Sequence, residues 1–366
     1  MRPRHPRRRA SRLPARRRHP GAAPADAFAA GLPRRSFSSV DETMAPLPSP
    51  PSPTVAAIYA AYEADGETGY RAHLGASLIG TECTRAIWYG FRWATRAQHT
   101  GRLLRLFQTG HLAEPRFVAD LRRIGITVLE VDPETGRQWT LRDAGGHFGG
   151  SMDAVAIGFP EAPNTWHVCE FKTHSAKSFA KLQAEGVAAS KPLHWAQMQA
   201  YMQLAGIDRA FYLAVCKETD ALYQERIRHD AEAALRILAK AERIIRAARP
   251  PARISDDPAW WQCRFCDHHA VCHEGQALER HCRACLHATP VAGGAWHCGR
   301  HEHPLTRQDQ EAGCAAHLFI PDLVPGEQLD AGADWVSYRM PDGSEWRDGV
   351  PSRASGDHQP MPEAAP

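Results

Sequence analysis

Apolar and polar positions repeat with two different periods along this chain, and the switches between them mark its elements. From Val55 onward, Ile58, Tyr59 and Tyr62 fall at helical spacing and predict a first helix. The run Ser77-Leu-Ile-Gly-Thr-Glu-Cys83 leads into Arg85, Ile87, Trp88 and Phe91, which also read as helix. Phe117, Leu121 and Ile124 form another stripe at i, i+4, i+7. Because Pro115 is tolerated only in a first turn, this helix is predicted to begin near Gly110, with Glu114 close to its start. The period then falls to two. Strands are predicted over 126–131, 139–142, 149–157 and 166–172, the last two joined as a hairpin by a Pro-rich loop over 159–165. A helix over 193–204, strands near 210–216 and 222–228, and a helix over 231–248 that stops before Pro250-Pro251 complete a mixed α/β pattern.

Length and composition set the frame around this pattern. With 366 residues, 43% of them apolar, the chain can bury a sizeable core. Residues 1–54 are rich in Arg, Pro, Ala and Ser and cannot bury enough surface to offset ordering entropy, so they are expected to be disordered. Met44 offers an alternative start, and the arginines before it suit nucleic-acid binding or an organellar transit signal. Eleven Arg against three acids lie in residues 1–43, so the rest of the chain, set against the formal +3 of the whole, is net acidic by five charges. Net charge is therefore a poor argument for nucleic acid here, and any basic groove must be local. No run approaches the roughly 18 apolar residues of a membrane span and no secretory signal is visible, so a cytoplasmic protein with no membrane partner is expected. Beyond about residue 346 a Pro-rich tail is expected to be solvated and disordered.

The candidate chemistry lies on the strand pair. Asp153 on one strand and Glu170 on its hairpin partner can face each other, and Lys172 shares a face with Glu170 because side chains two apart on a strand do. Two anions and a cation so placed can hold a hard divalent ion and act on a phosphodiester. Taken alone, such residues more often make ion pairs on a solvated strand edge. Their order along the chain changes that: Glu114 on a helix, Gly149-Gly150 before Asp153, then Glu170-Phe-Lys172, then Gln197-Met-Gln-Ala-Tyr201.

In that order the chain resembles the RecB-like PD-(D/E)XK nucleases over roughly residues 70–275, a family that includes AddB-type, lambda-exonuclease-like and CRISPR-associated iron-sulfur nucleases. The resemblance implies an α/β core of restriction-endonuclease type, a mixed sheet flanked by helices, spanning 55–275. It implies Mg2+ or Mn2+ ligated by Asp153, Glu170, Glu114 and the Phe171 carbonyl, with Lys172 positioning or activating the attacking water. His111 is the alternative to Glu114. Gln197 and Tyr201, one helical turn apart, match the family's Q-x3-Y motif, which contacts DNA or supports the site. Met152 stands where family members often carry Pro, a departure that the Asp153 carboxylate tolerates. The implied activity is a metal-dependent deoxyribonuclease, exonucleolytic, acting on single-stranded DNA or free ends in phage recombination or DNA repair, with a recombination or repair protein as partner. CRISPR adaptation, or an inactive nucleic-acid-binding module with structural metals, is the alternative.

Ten cysteines without an export signal point to metal or cluster ligation rather than disulfides. Cys263, Cys266 and Cys272 form a C-x2-C-x5-C trio, one thiolate short of a four-ligand site. The resemblance to iron-sulfur nucleases supplies Cys83 as the fourth ligand of a 4Fe-4S cluster stapling the two ends of the nuclease domain. Zinc, with His268, His269 or His273 in place of Cys83, is the alternative. Cys282, Cys285, Cys298 and Cys314, with a turn at Gly293-Gly294, suggest a zinc-ribbon-like module over 276–345; His281, His287, His297, His301 and His303 are rival ligands. Cys169 and Cys216 sit in apolar strand patterns and read as core thiols. Lys177, Lys181 and Lys191 could track a phosphate backbone but singly read as a solvated face, and Trp260-Trp261 could stack bases or pack over the cysteine trio.

Overall fold

Thr100 caps the longest of the described helices with its side chain, which accepts from the Leu103 amide, and that helix shows how local rules yield to context. The structure, a computed structural model, describes residues 52–66, 69–96, 98–349 and 361. Of the segment expected to be disordered, 1–54, residues 1–51 lie outside the described residues, and Pro53 and Thr54 already belong to the first helix. Helix α1 (Pro53–Asp65) begins with proline in its first turn, and the short strand β1 (Leu74–Gly75) leads to α2 (Thr84–Phe91). Helix α3 (Gly101–Arg123) corrects the predicted start near Gly110, for it runs unbroken through Pro115. The proline removes the bond to the His111 carbonyl, and this part of α3 is largely exposed, so water can take up the freed acceptor.

The strands follow as β2 (Thr127–Leu129), β3 (Thr140–Asp143), β4 (Phe148–Ser151), β5 (Ala154–Ile157) and β6 (His167–His174). Helices α4 (Ala176–Ser190) and α5 (Pro192–Ala205) cross to β7 (Arg209–Cys216), and β8 (Leu222–Arg228) and α6 (Ala231–Arg246) come next. A five-stranded mixed sheet runs β2-β5-β6-β7-β8, parallel only between β6 and β7. The strand predicted over 149–157 is two strands: β4 joins β1 and β3 in a separate small sheet, and the chain crosses to the main sheet at Met152-Asp153. Gly149-Gly150 make this possible. A side chain at Gly149 would strike the Leu141 carbonyl, and one at Gly150 the Tyr201 hydroxyl.

The main sheet separates two cores. Phe117, Val118 and Leu121 of α3 pack with Val128, Cys169, Phe171 and Phe211 on one face, where the Phe117 and Phe171 rings stack at 5.3 Å. On the other face α2, α5 and α6 pack with Val155, Val168, Tyr212 and Cys216. Cys169 and Cys216 are thus core thiols.

After the short helix α7 (Trp261–Arg264), strands β9 (Ala288–Pro290), β10 (Trp296–Cys298) and β11 (His303–Leu305) form an antiparallel sheet, with Gly293-Gly294 in the β9–β10 turn. Helix α8 (Arg307–Ala312) carries a capping box between Thr306 and Asp309. A last sheet pairs β12 (Glu327–Ala331), β13 (Trp335–Arg339) and β14 (Glu345–Gly349). This moves the start of the expected tail, since Trp346 and Asp348 of β14 are buried and Asp348 accepts from the Phe319 amide and from Arg280. The stretch 276–345 packs directly on α2. Cys282, Ala284, Trp296 and Phe319 belong to the same apolar cluster as Trp88 and Phe91 of α2, and the described residues form one compact unit.

The joint is built from arginine. Arg283, almost fully buried, donates to Gln310, to the Phe91 carbonyl at 3.1 Å and to the Ala72 carbonyl at 2.9 Å, and lies 4.0 Å from the centre of the Trp296 ring. Arg92 reaches the other way, to the carbonyls of Ala288 and Ala247. Burial pushes both guanidinium pKa values down, yet carbonyl oxygens and aromatic faces surround them and arginine keeps its charge.

Candidate active site

The register of the main sheet assembles the carboxylates. Ala154 pairs with Cys169 in the antiparallel β5–β6 ladder, so Asp153, one residue earlier, comes level with Glu170. The chain leaves the ladder at Asp153, which frees its carboxylate to turn onto β6: Oδ2 accepts from the Phe171 amide at 2.7 Å. Glu170 and Lys172 alternate with Cys169 and Phe171 and so face α5, while the odd positions enter the α3 core. The Lys172 ammonium pairs with Glu170 Oε1 and donates to the Phe171 carbonyl at 3.1 Å.

Glu170 is fully buried. Burial raises its carboxyl pKa, Lys172 pulls it back, Asp153 raises it further, and the outcome is pushed up to about 7. Lys172 loses by burial but gains more from Glu170, Asp153 and Glu114, and its pKa ends above the ordinary lysine range. It is an ammonium at any working pH. Glu114 on α3 is held above its usual value by burial and by Asp153, which places it within the same field; His111 beside it is exposed, 3.6 Å from Glu114. The structure sets Asp153, Glu170 and Lys172 side by side, with Glu114 on α3 within reach of their charge and His111 at the rim.

Helix α5 closes the site from above. Gln197 donates to Glu170 Oε2 at 3.2 Å and approaches the Tyr201 hydroxyl at 3.4 Å; that hydroxyl donates to the Ser151 carbonyl at 3.0 Å. The two residues thus tie α5 to β6 and to the end of β4. Burial, with Glu170 behind it, pushes the Tyr201 phenol up to about 12, so it stays a donor.

Sequence reasoning missed a polar network beyond Lys172. His174, two residues further along the same face of β6, shares a 2.8 Å hydrogen bond with Tyr212, which also bonds His194 at 2.9 Å. Ser178 lies 3.2 Å from His174 and accepts from Lys191 at 2.8 Å. Burial and the neighbouring lysines push His174 down to about 4 and His194 to about 3, so both are neutral. The available signal was the period of two from Glu170 through Lys172 to His174, and the helical spacing of His194 to Gln197. Of the lysines singled out, Lys181 pairs with Glu185 and only Lys191 joins this network.

The cysteines gather in two places. Cys83, Cys263, Cys266 and Cys272 line one cavity together with His268, His269 and His273. The Cys266 sulfur accepts from the His268 amide at 3.4 Å, the His268 ring lies tilted against Tyr89, and His269 is engaged by the Cys263 carbonyl and Glu274. In the C-terminal region Cys282 is pushed up to about 12 by burial and then by Cys285, Cys314 and Cys298. His281 instead serves the backbone, bonding the Trp93 carbonyl and the Ala284 amide, while His301 lies 3.6 Å from Cys314. Among the described residues no three or more His, Cys, Asp or Glu side chains are drawn tightly enough to hold a single ion, at the carboxylates or at either thiol group. For the carboxylates this is no misfit, since Mg2+ keeps several waters and takes one or two protein carboxylates.

No curated protein matches the chain. Among solved structures, an alkaline exonuclease (LHK-Exo) from Laribacter hongkongensis is similar at 16% identity over 50% of this chain and 90% of that one, with a TM-score of 0.34. The complex of LHK-Exo with dAMP gives 15%, 52%, 90% and 0.34, and SSO0001 gives 15%, 60%, 96% and 0.36. Residues 63–273, which hold every carboxylate and lysine of the site, match the PD-(D/E)XK nuclease superfamily, and the chain belongs to that superfamily.

Proposed function

We propose that the chain is a Mg2+- or Mn2+-dependent deoxyribonuclease whose catalytic residues are Asp153, Glu170, Lys172 and Glu114. The observation that carries the reading is the placement of a fully buried Glu170 against Asp153 with a single nearby ammonium. Two carboxylates and a third on α3 exceed the positive charge beside them, an arrangement that favours a bound cation. When bound, such an ion polarises the phosphodiester and lowers the pKa of its water. Asp153, Glu170 and the Phe171 carbonyl would hold it, with Glu114 reaching from α3. The raised pKa of Lys172 makes it a donor rather than a base: it orients the attacking water and offsets charge on the phosphoryl oxygens. Gln197 fixes the Glu170 carboxylate in its rotamer, and Tyr201 holds the strand that presents Asp153.

Exonucleolytic action on single strands or free ends, in phage recombination or repair, follows the resemblance to lambda-exonuclease-like enzymes. Digestion of DNA labelled at either end, single- and double-stranded, with Mg2+ or Mn2+ and with EDTA, tests metal dependence and mode together. Stepwise release of labelled mononucleotide is expected; one internal cut would replace exonuclease by endonuclease, and no cleavage under any condition would leave a binding protein.

The two thiol groups complete the proposal. Cys83, Cys263, Cys266 and Cys272 fit a 4Fe-4S cluster, whose thiolates bind separate irons and stand further apart than around one ion. The segments they join are already tied, Gln262 to Glu82 and Arg85 to the Pro251 carbonyl. Cys282, Cys285, Cys298 and Cys314 offer soft donors for Zn2+. Anaerobic protein with about four irons and one zinc per chain is the expected analysis; colourless protein with two zinc ions would turn the first site into a second zinc site.

A further inference from the structure

Five polar side chains beside the carboxylates form one line of hydrogen bonds that the cleavage chemistry does not use. Lys191 donates to Ser178 Oγ at 2.8 Å, Ser178 meets His174 Nδ1 at 3.2 Å, His174 Nε2 meets the Tyr212 hydroxyl at 2.8 Å, and that hydroxyl meets His194 Nδ1 at 2.9 Å. The line crosses from α4 to β6, β7 and α5. It is joined to the cleavage site at both ends of Glu170's surroundings. Tyr212 is paired with Glu170 in the parallel β6–β7 ladder, so both side chains stand on the α5 side of the sheet. His194 stands three residues before Gln197 on α5, one helical turn from the donor that holds Glu170.

The line has a direction, set by its hydrogens. An ammonium has no lone pair to offer, so Lys191 donates and Ser178 accepts. The Ser178 hydrogen then has one acceptor among the described residues, His174 Nδ1. A ring that accepts at Nδ1 is a neutral imidazole with its proton at Nε2, so His174 donates to Tyr212, Tyr212 passes its own hydrogen to His194 Nδ1, and His194 also keeps its proton at Nε2. Reversing any single bond would set two hydrogens, or two lone pairs, face to face. Burial, and after it the Lys191 and Lys172 charges on His174 and the Lys172 charge on His194, hold both rings in that neutral form. Buried hydrogen bonds in one order fix their members more firmly than apolar contact, which tolerates sliding.

Resting on the nuclease reading, we propose that this one-way line positions the cleavage site: the Lys191 charge orders its hydrogens, Tyr212 locks the first turn of α5 onto β6 and β7, and α5 so held keeps Gln197 against Glu170. Tyr212 is thus a positioning residue, acting on Glu170 through Gln197. The test uses full-length protein and reads the nitrogen NMR shifts of the imidazoles together with calorimetric binding of Mn2+ alone. In the parent, His174 and His194 should both appear as neutral rings protonated at Nε2. Tyr212→Phe keeps the ring and its packing; it should weaken Mn2+ binding about 10-fold, the lower end for a lost partner behind a metal ligand, and raise the Mn2+ needed for half-maximal cleavage to match. Lys191→Met, at the half-exposed far end of the line, should return His174 to a mixture of tautomers and weaken Mn2+ binding less. Lys191→Arg, again a donor without a lone pair, should restore both. Calorimetry separates affinity from the number of folded sites, so partial unfolding cannot imitate the shift. A parent ring that is charged or protonated at Nδ1 would overturn the direction, and a parent that binds no Mn2+, or unchanged Mn2+ binding in Tyr212→Phe and Lys191→Met, would overturn the positioning role. A parent that binds Mn2+ with these dependences but cleaves no DNA would instead retire the nuclease reading and keep the line as support for a metal site. DNA cleavage that Tyr212→Phe and Lys191→Met leave unchanged at every Mn2+ concentration would do the reverse.

Discussion

The chain buries charge in two places, and the two are built on opposite plans. Around Glu170 the acceptors outnumber the donors: three carboxylates share one ammonium, and Glu170 Oε1 faces Lys172 in an ion pair without the alignment of a hydrogen bond. Around Arg283 and Arg92 the donors are matched to backbone carbonyls, Gln310 and aromatic faces, with only Arg92 Nε left over. Neither arginine bonds a carboxylate among the described residues. A centre short of positive charge waits for a ligand; one satisfied by the chain itself holds the chain together. Burial alone tells neither from the other, whereas the count of partners does.

The harshest way to break this contrast is to cut after residue 276. Because the clusters on either side of that point are one core, the truncated protein should lose its cooperative thermal transition altogether; a fragment with a sharp unfolding curve would show that the arginine joint is dispensable. Next come Asp153→Ala, Glu170→Ala and Lys172→Ala. Each should lower DNA cleavage on the order of 10³-fold, as expected when one member of a cooperating site is lost. Glu170→Ala should leave thermal stability equal or higher, because it removes a buried carboxylate while Asp153 and Glu114 remain to balance Lys172. A clear fall in its melting temperature would mean that Glu170 serves the fold. Arg283→Met should do the opposite: a loss of about 3 kcal/mol in chemical denaturation, from three acceptors left without a donor, and normal cleavage per folded molecule. The smallest effect belongs to deletion of residues 1–43, which should leave the unfolding curve unchanged and weaken only DNA binding at low salt, where exposed arginines act most strongly.

The carboxylate centre was legible in the sequence because its logic is local. Glu170 and Lys172 are two apart, Gln197 and Tyr201 four apart, and strand and helix periods place each pair on one face without knowledge of the rest. Pro115 misled, since the rule against proline inside a helix assumes that the freed carbonyl is buried, and here it is not. The strand break at Met152-Asp153 was hidden because it shows only in the partner strands, which differ between the two halves. Tyr212 and His194 could not be joined to His174 before the parallel β6–β7 pairing was known. The arginine joint had no local signature at all. Arg283 sits between two cysteines, in a run that reads as a separate ribbon, and its partners lie about two hundred positions away.

That distance has a consequence for synthesis. The bond from Arg283 to Ala72 spans 211 residues and the one from Arg307 to Tyr70 spans 237. Contacts so remote are slow to form, and they cannot form before the later partner has left the ribosome. At 5–20 residues per second, Trp88 and Phe91 emerge at least about ten seconds before Trp296 arrives to cover them. During that interval the nascent chain presents an aromatic face with no partner. Chaperone supply and translation speed, rather than the stability of the finished enzyme, should therefore set how much of it is recovered from cells.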